Sequence, residues 1–595
     1  MNSLELGLIG NCGFCALIDE HAEVAWCCLP RFDADPVFCS LLDPKDHPDR
    51  GQFAIELAGG LASSAQHYQR NTAILTTRLR DRNGAEIEVT DFAPRFKQYG
   101  RIYRPTTLVR RLRPVSGRPG VTVRLRPLGD YGKQVPGTTA GSNHLRYLLP
   151  GQVLRLTTDA PLSAIAEETP FLLDRETVLL LGPDESLSEN VDKFARRCEE
   201  DTAAYWREWA RYLALPFEWQ EAVIRAAITL KLCEYEDTGA ILAAVTTSIP
   251  EMAGAGRNWD YRYCWLRDSY FAVNALNRLG ATATMEQFIR YVENIAAHSD
   301  HHRLQPLYGL SGAAQLEERS LASFNGFRGS VPVRVGNEAW KQHQHDVYGA
   351  VVLAAAQRFF DARIEQPGDE VLFRRLETHG DIALNLYDQP DSGLWERRDA
   401  QSVSTYSSVM CWAACDRLAR IAQRLALAER ARKWRADADR LHKVILTRAW
   451  NDKTRSFSSV LDGDALDASL LLLADLGLVP ASDPRFAATV ERISRELRHD
   501  EYVFRYSHSD DFGKPHNAFT LCSFWYCNAL AALGRRDEAR TIFEKMLGHR
   551  TRLGLLSEHI DPSNGELWGN FPQTYSMVGI IQSALRLSTS WEEAF

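Results

Sequence analysis

The sequence changes its period at about Leu187, and that change constrains the fold more than any other feature. Before it, short runs of β-branched and aromatic residues alternate with turn residues. Thr72 to Arg80 and Ala85 to Phe92 flank Asp81-Arg82-Asn83-Gly84, a hairpin signal. Thr107 to Leu112 and Val121 to Leu125 flank a turn rich in Ser, Gly and Pro. Leu154 to Thr158 and Thr177 to Leu181 continue the pattern. So many short strands predict an antiparallel sandwich.

After the change, Asn190 to Leu213 reads as helix, with Pro216 as a break. Helical spacing then recurs in Ala222 to Cys233, Tyr270 to Leu279, Met285 to Ile295, Asp346 to Phe360, Ser408 to Leu425 and Ala428 to Ile445. It continues in Ala468 to Leu476, Phe524 to Leu533, Asp537 to Met546 and Ser576 to Leu587. Helical pairs of about 30 residues over this length predict a closed ring of helical hairpins. A stacked solenoid is the competitor, but no self-similar repeat supports it. At 595 residues the chain is too long for one core, so several domains are expected.

One stretch departs from both patterns. Asn258 to Asp268, N-W-D-Y-R-Y-C-W-L-R-D, packs four aromatics, two arginines and two aspartates ahead of an apolar helical run. Such a mixture makes poor core and poor solvated surface. It suits a pocket that stacks on a sugar ring and hydrogen-bonds its hydroxyls. Other loops that precede helices share the character: Trp340, Gln344 and Asp346; Trp395 and Glu396; Phe504, Arg505, Asn517 and Phe519; Glu558, Trp568 and Gln573. In a ring whose inner helices point one way, these loops meet at one end.

A net charge of -8 argues against nucleic-acid and anionic-membrane partners. No stretch reaches the roughly 20 apolar residues of a membrane span, and Met1 to Asp19 lacks the pattern of a secretory signal. Twelve scattered cysteines fit reduced thiols in a cytoplasm. Cys12 and Cys15 form a C-x-x-C, but Cys27 and Cys28 are adjacent where zinc would want a second pair, so buried structural thiols are expected. His298, His301 and His302, with Asp300, offer a weaker candidate for a metal, and solvated helix-end histidines are expected there. Neither a phosphate loop nor a nucleophile elbow is present, and no cofactor or metal is expected.

Ordered motifs bring a family into view. I-G-N-C from Ile9 and W-C-C-L-P-R-F-D from Trp26 come first; A-A-V-T-T-S-I-P-E from Ala243 leads into R-N-W-D-Y-R-Y-C-W-L-R-D from Arg257. L-Q-P-L-Y-G from Leu304, V-P-V-R-V-G-N from Val331, G-L-W-E-R from Gly393, L-C-S-F-W from Leu521 and G-N-F-P-Q from Gly569 follow. In this order and spacing the chain resembles glycoside hydrolase family 15, which holds glucoamylases, glucodextranases and some bacterial trehalases. The resemblance implies a multidomain chain with α and β parts: an N-terminal antiparallel β-sandwich (1–188), a helical linker (189–216) and a C-terminal (α/α)6 barrel (217–595) carrying the active site.

It also implies roles. Glu396 is expected to be the general acid, its protonated form favoured by a desolvating indole beside it. Arg397 departs from the small or apolar residue usual in bacterial relatives. A cation packed on Glu396 would oppose that role, so Arg397 is expected to face the aglycone side. Glu558 is expected to be the general base, with Glu566 its nearest rival. An inverting pair stands roughly 6.5–9.5 Å apart, with room for the attacking water. Arg267 and Asp268 are expected to fork onto the terminal glucose, and Asp268 also suits a helix N-cap. Tyr261, Trp265, Trp340 and Trp395 are expected to wall the pocket. Arg505 is a further sugar contact, and Gln344, Asp346 and Asn517 are supporting or sugar contacts.

The expected activity is an inverting, exo-acting α-glucoside hydrolase that releases the terminal glucose as the β-anomer from a small intracellular α-glucoside. Trehalose is favoured over malto- or isomalto-oligosaccharides, and the protein is expected to act as a monomer or homo-oligomer. One rival is a phosphorylase of similar barrel shape, which would need no second carboxylate. Another is a catalytically silent sugar-binding protein, against which both retained glutamates argue.

Overall fold

In the computed structural model, which describes residues 3–43, 50–298 and 303–594 (the side chains of 297 and 298 excepted), the chain up to Pro183 forms two large antiparallel sheets and a small ribbon of Phe96–Gln98 with Arg101–Tyr103. The larger runs in the order Gly137–Ala140, His144–Leu149, Gln152–Thr158, Thr177–Pro183, Leu108–Ser116, Glu86–Phe92, Leu75–Asp81, Leu61–Tyr68. The other runs Leu6–Gly10, Cys15–Asp19, Val24–Cys28, Gln52–Leu57, Gly120–Arg126, Phe171–Leu172, with Pro36–Phe38 paired to Val24–Cys28. Their facing sides interdigitate through Phe53, Ile55, Ile87, Val89, Leu112, Val123, Leu154 and Leu179.

The Asp81 hairpin forms in the expected place. The Asp81 carboxylate accepts from the backbone N–H of Asn83 and of Ala85, each at 2.8 Å, and Gly84 takes a φ of +87°. The turn after Leu108–Ser116 makes no hairpin: it carries the chain across to Gly120–Arg126 in the opposite sheet. The first three strands read L-G-L-I-G, C-A-L-I-D and V-A-W-C-C and are buried at every position. One face meets the sandwich core, while Leu6, Leu8, Leu17, Trp26 and Cys28 join the core of the helical domain. Burial on both faces removes the alternation that would have marked them as strands.

Helix Val191–Arg211 is capped by the Asn190 side chain, which accepts from Asp192 N at 2.9 Å. Its Phe194, Ala195 and Cys198 pack on Phe92, Phe96 and Val178 of the sandwich.

The rest is a double ring. Leu266–Arg278, Asp346–Phe360, Thr405–Arg424, the turn pair Ala468–Leu472 and Leu473–Leu476, Thr520–Ala532 and Thr574–Leu587 each pack on the next, and the last closes on the first. Outside them stand Gln220–Leu232, Thr282–His298, Glu370–Leu386, Ala428–Ala449, Pro484–Glu496 and Arg536–Gly548. This is the (α/α)6 barrel. Inner helices are buried nearly all round and approach closely. A Cβ on Gly349 would lie 2.4 Å from the Met410 carbonyl oxygen.

Glu370–Leu386 and Pro484–Glu496 have no counterpart among the helices expected from sequence. Their apolar stripes are narrow: Leu372, Phe373, Leu376 and Ala383 in one, Phe486, Val490 and Ile493 in the other. Among the described residues no helix is long and apolar enough to cross a membrane, and no group of His, Cys, Asp and Glu is arranged for a metal ion. All twelve cysteines are buried free thiols. His301 and His302, weighed as metal ligands with His298, lie outside the described residues, as does the His298 side chain.

Candidate active site

Five loops that lead into inner helices meet around one cavity at the end of the barrel, enclosing about 890 Å³ of space partly continuous with solvent. The loops singled out in the sequence each contribute lining: Trp259, Tyr261, Trp265, Arg267 and Asp268; Asn337, Ala339 and Gln342; Leu394 to Arg398; Arg505, Asp510 to Phe512 and Phe519; Glu558 and Gln573.

Burial grades the lining from floor to mouth. Arg267 and Asp268, in the first turn of Leu266–Arg278, are buried with Trp525 and Tyr575. Glu396, Tyr261 and Trp395 are half-buried, whereas Arg398, Asp511 and Phe512 are exposed. The helix N-termini at the floor favour acidic groups and supply fixed dipoles.

Glu396 holds a left-handed backbone conformation, φ +57°, uncommon for a side-chain-bearing residue. Its Oε1 accepts from Trp265 Nε1 at 2.7 Å, Arg267 Nη2 at 3.1 Å and Gln344 Nε2 at 3.2 Å. No hydrogen bond among the described residues engages Oε2, and Glu396 lines the cavity. The indole next in sequence, Trp395, donates instead to Asp467 at 2.9 Å and packs among Tyr506, Phe519 and Trp525. Arg397 pairs with Asp399 at 3.0 Å while still lining the cavity; the cation at Glu396 is instead Arg267, whose charge is already balanced by Asp346 at 3.1 Å.

Glu558 sits on the same cavity. Its Oε1 accepts from the Tyr261 hydroxyl at 2.7 Å. Burial, then the charge of Glu558, pushes the Tyr261 phenol well above its ordinary range, so it stays a donor. His559 Nδ1 stands 3.4 Å from Glu558 Oε2, and its Nε2 stands 3.6 Å from Glu251 Oε1. Gly569 presses against this carboxylate from behind. At φ +79°, a Cβ there would come within 2.8 Å of the Glu558 Cβ, so only glycine leaves Glu558 in place. The rival Glu566 pairs with Arg328 at 2.6 Å and does not line the cavity.

Other expected residues take varied positions. Gln344 and Asp346 stand behind Arg267, accepting from its Nη1 at 2.6 Å and 3.1 Å. Arg505 lines the cavity and pairs with Glu251, and Asn517 Nδ2 donates to the Glu251 carbonyl at 2.6 Å. Burial raises the Glu251 carboxyl, but Arg505, His559 and Arg257 more than offset this and hold it below its ordinary value. Trp340 is not part of the cavity wall. It lies in the short helix Glu338–Lys341, packed with Trp265, Leu307 and Leu316 and facing a neighbouring depression. Tyr575, Trp525, Trp259 and Phe512 line the cavity without having been singled out as site residues. Tyr575 is placed by the G-N-F-P-Q turn, with the Gln573 side chain capping its helix.

Several buried polar atoms here have no hydrogen-bond partner among the described residues: Asp268 Oδ1 and Arg267 Nε, which face each other at 3.9 Å, Arg505 Nε and Trp259 Nε1. Groups rarely stay unpaired when buried, so they suit a hydroxyl-rich ligand. The five lining arginines are each paired with acids, Arg257 to Asp510, Arg267 to Asp346 and Glu396, Arg397 to Asp399, Arg398 to Glu318 and Arg505 to Glu251. A neutral ligand fits such a site better than phosphate, which needs uncompensated cations.

Burial raises the Asp268 carboxyl to about 7, with Arg267 opposing. The folded value therefore lies above the unfolded one, so this group favours the fold most below about pH 4, less as pH rises towards 7, and no less beyond. Asp268→Asn is expected to stabilise the protein by a few kcal/mol at pH 8 and to change little at pH 4. Thermal denaturation at both pH values checks this; equal shifts at both would refute a buried, reluctantly ionised carboxyl.

The model of glycosyl hydrolases family 15 matches residues 219–585, and that of the trehalase-like N-terminal domain matches residues 4–151. Trehalase of Thermoplasma acidophilum is 32% identical over 97% of this chain and 98% of its own length. That of Thermoplasma volcanium is 31% identical over 98% and 93%, and that of Mycobacterium tuberculosis 32% over 97% and 88%. Among solved structures, a bacterial glucoamylase complexed with acarbose superposes with a TM-score of 0.69 at 13% identity, over 98% of this chain and 94% of its own.

Proposed function

The chain belongs to glycosyl hydrolases family 15 and is a glycoside hydrolase, and from that premise we propose that it hydrolyses trehalose with inversion at the attacked carbon. The observation that carries the reading is one cavity lined by both Glu396 and Glu558 above a floor of Arg267 and Asp268. Relatives of matching length named trehalase support the choice of substrate.

Arg267 and Asp268 take hydroxyls of the buried glucose, and Trp265 and Trp395 bound its ring. Glu396 donates a proton from Oε2 to the glycosidic oxygen as the bond to the anomeric carbon breaks. Glu558, oriented by Tyr261 and Gly569, removes a proton from the water that attacks the opposite face. The floor contacts strengthen as the ring flattens and positive charge develops at the anomeric carbon. A cytoplasmic setting belongs to the same proposal, supported by twelve cysteines that are all free.

The test is glucose release from trehalose, maltose, isomaltose, kojibiose and nigerose, with proton NMR of the first product. Inversion yields equal α- and β-glucose from trehalose, because the leaving unit keeps its configuration. Initial α-glucose alone would establish retention, and a clear preference for another disaccharide would remove trehalose as the substrate. Glucose 1-phosphate formed only with added phosphate would mark a phosphorylase, which the acid-paired arginines disfavour.

A further inference from the structure

The cavity's mouth has a structure of its own. Phe512 sits on a tight turn in which Asp510 and Gly513 exchange backbone hydrogen bonds at 3.0 and 3.2 Å. The Asp510 side chain accepts from the Phe512 N–H at 2.9 Å and from the Tyr506 hydroxyl, and it pairs with Arg257. Arg257 also donates to the Gly513 carbonyl at 2.8 Å. That ion pair is nearly sealed, its side chains 7% and 5% exposed, so the turn is fastened to the loop that carries Tyr261 and Arg267. The Phe512 ring, 39% exposed, meets Trp259 edge-on with centroids 5.3 Å apart. Trp259 is itself fixed: Arg398 lies 5.2 Å and Arg334 5.9 Å from its ring centre, and its carbonyl accepts from Asn570 at 2.9 Å.

We propose that Phe512 and Trp259 form an outer wall that limits the substrate to two sugar units. This rests on the glycosidase reading above and adds the length limit and the residues that impose it. The first glucose occupies the floor. The second lies against the aromatic pair, with Arg397, Arg398 and Asp511 available to its hydroxyls. A third unit would run into the Phe512 ring, and the turn cannot swing aside without breaking the buried Arg257–Asp510 pair.

The experiment measures kcat/KM for wild type, Phe512→Ala and Phe512→Trp on two substrate series. One is trehalose against trehalose extended by one α-1,4-glucose; the other is maltose against maltotriose. In Phe512→Ala the trisaccharide-to-disaccharide ratio is expected to rise about tenfold or more, mainly through a lower trisaccharide KM. Phe512→Trp is expected to hold the ratio at or below wild type. A wild type that takes trisaccharides as readily as disaccharides, or a ratio unmoved in Phe512→Ala, would overturn the wall. Failure of the trehalose reading looks different: maltose would outrank trehalose in wild type while the maltose-series ratio still responded to residue 512.

Discussion

Glu558→Gln is expected to lower kcat by roughly three orders of magnitude while leaving KM and thermal stability close to wild type. Glutamine keeps the shape of the side chain, and its Oε1 still accepts from Tyr261, whose hydroxyl lies 2.7 Å from the native oxygen. Gly569 continues to press on the same Cβ. What disappears is the only property a base needs, an anionic oxygen that takes a proton from water as it attacks. Smaller losses would follow from a merely structural carboxylate, so a variant with more than a tenth of wild-type kcat refutes the role. Glu558→Ala gives a second reading. Azide entering the cleared space can attack the anomeric carbon as the glycosidic bond breaks, giving β-glucosyl azide. An α-azide would instead mean that azide had displaced a covalent β-glucosyl intermediate from another carboxylate, with Glu558 as the acid–base group rather than the base of a single displacement.

That carboxylate was legible because its neighbours in sequence mark a loop before an inner helix. What holds it was not. In the sequence Gly569 stands only as the opening of the motif G-N-F-P-Q, and nothing there marks His559. Their contacts with Glu558 arise only when the short strands His559–Ile560 and Leu567–Trp568 pair and fold the loop back on itself. The same limit explains Trp340. Loop position beside charged residues suggested a pocket wall, but the short helix Glu338–Lys341 turns its indole into an apolar cluster with Trp265 and Leu307.

Helices show the complementary pattern. Inner segments such as Asp346–Phe360 and Thr405–Arg424 announced themselves because nearly every side chain is buried. The outer helices Glu370–Leu386 and Pro484–Glu496 bury one stripe only, and the signal thins. Pro484–Glu496 nevertheless carried a legible start, with Asp483 accepting from Arg485 N and proline in the first turn. Glu370–Leu386 is weaker still, since His379 and Gly380 interrupt its apolar stripe. There the glycine serves packing: a Cβ at residue 380 would lie 2.2 Å from Leu418 Cδ1.

The partners of Glu396 join residues more than fifty positions away, and they set up the second large effect. Trp265, Arg267 and Gln344 crowd Oε1 and leave Oε2 without a hydrogen bond among the described residues. If Oε2 carries the proton, its importance depends on the leaving group. Glu396→Gln is expected to lower kcat on trehalose by about 10²–10⁴-fold, because a sugar alkoxide leaves poorly without protonation. On α-glucosyl fluoride the same variant is expected to stay within about tenfold of wild type, since fluoride needs no proton to depart. Glu558→Gln removes the base and should lose activity on both substrates. The contrast separates a missing acid from a disturbed pocket: displacement of Arg267, which shares Oε1, would impair both substrates alike. Equal losses on trehalose and the fluoride in Glu396→Gln would therefore strip Glu396 of the acid's role and leave it as an anchor for Arg267.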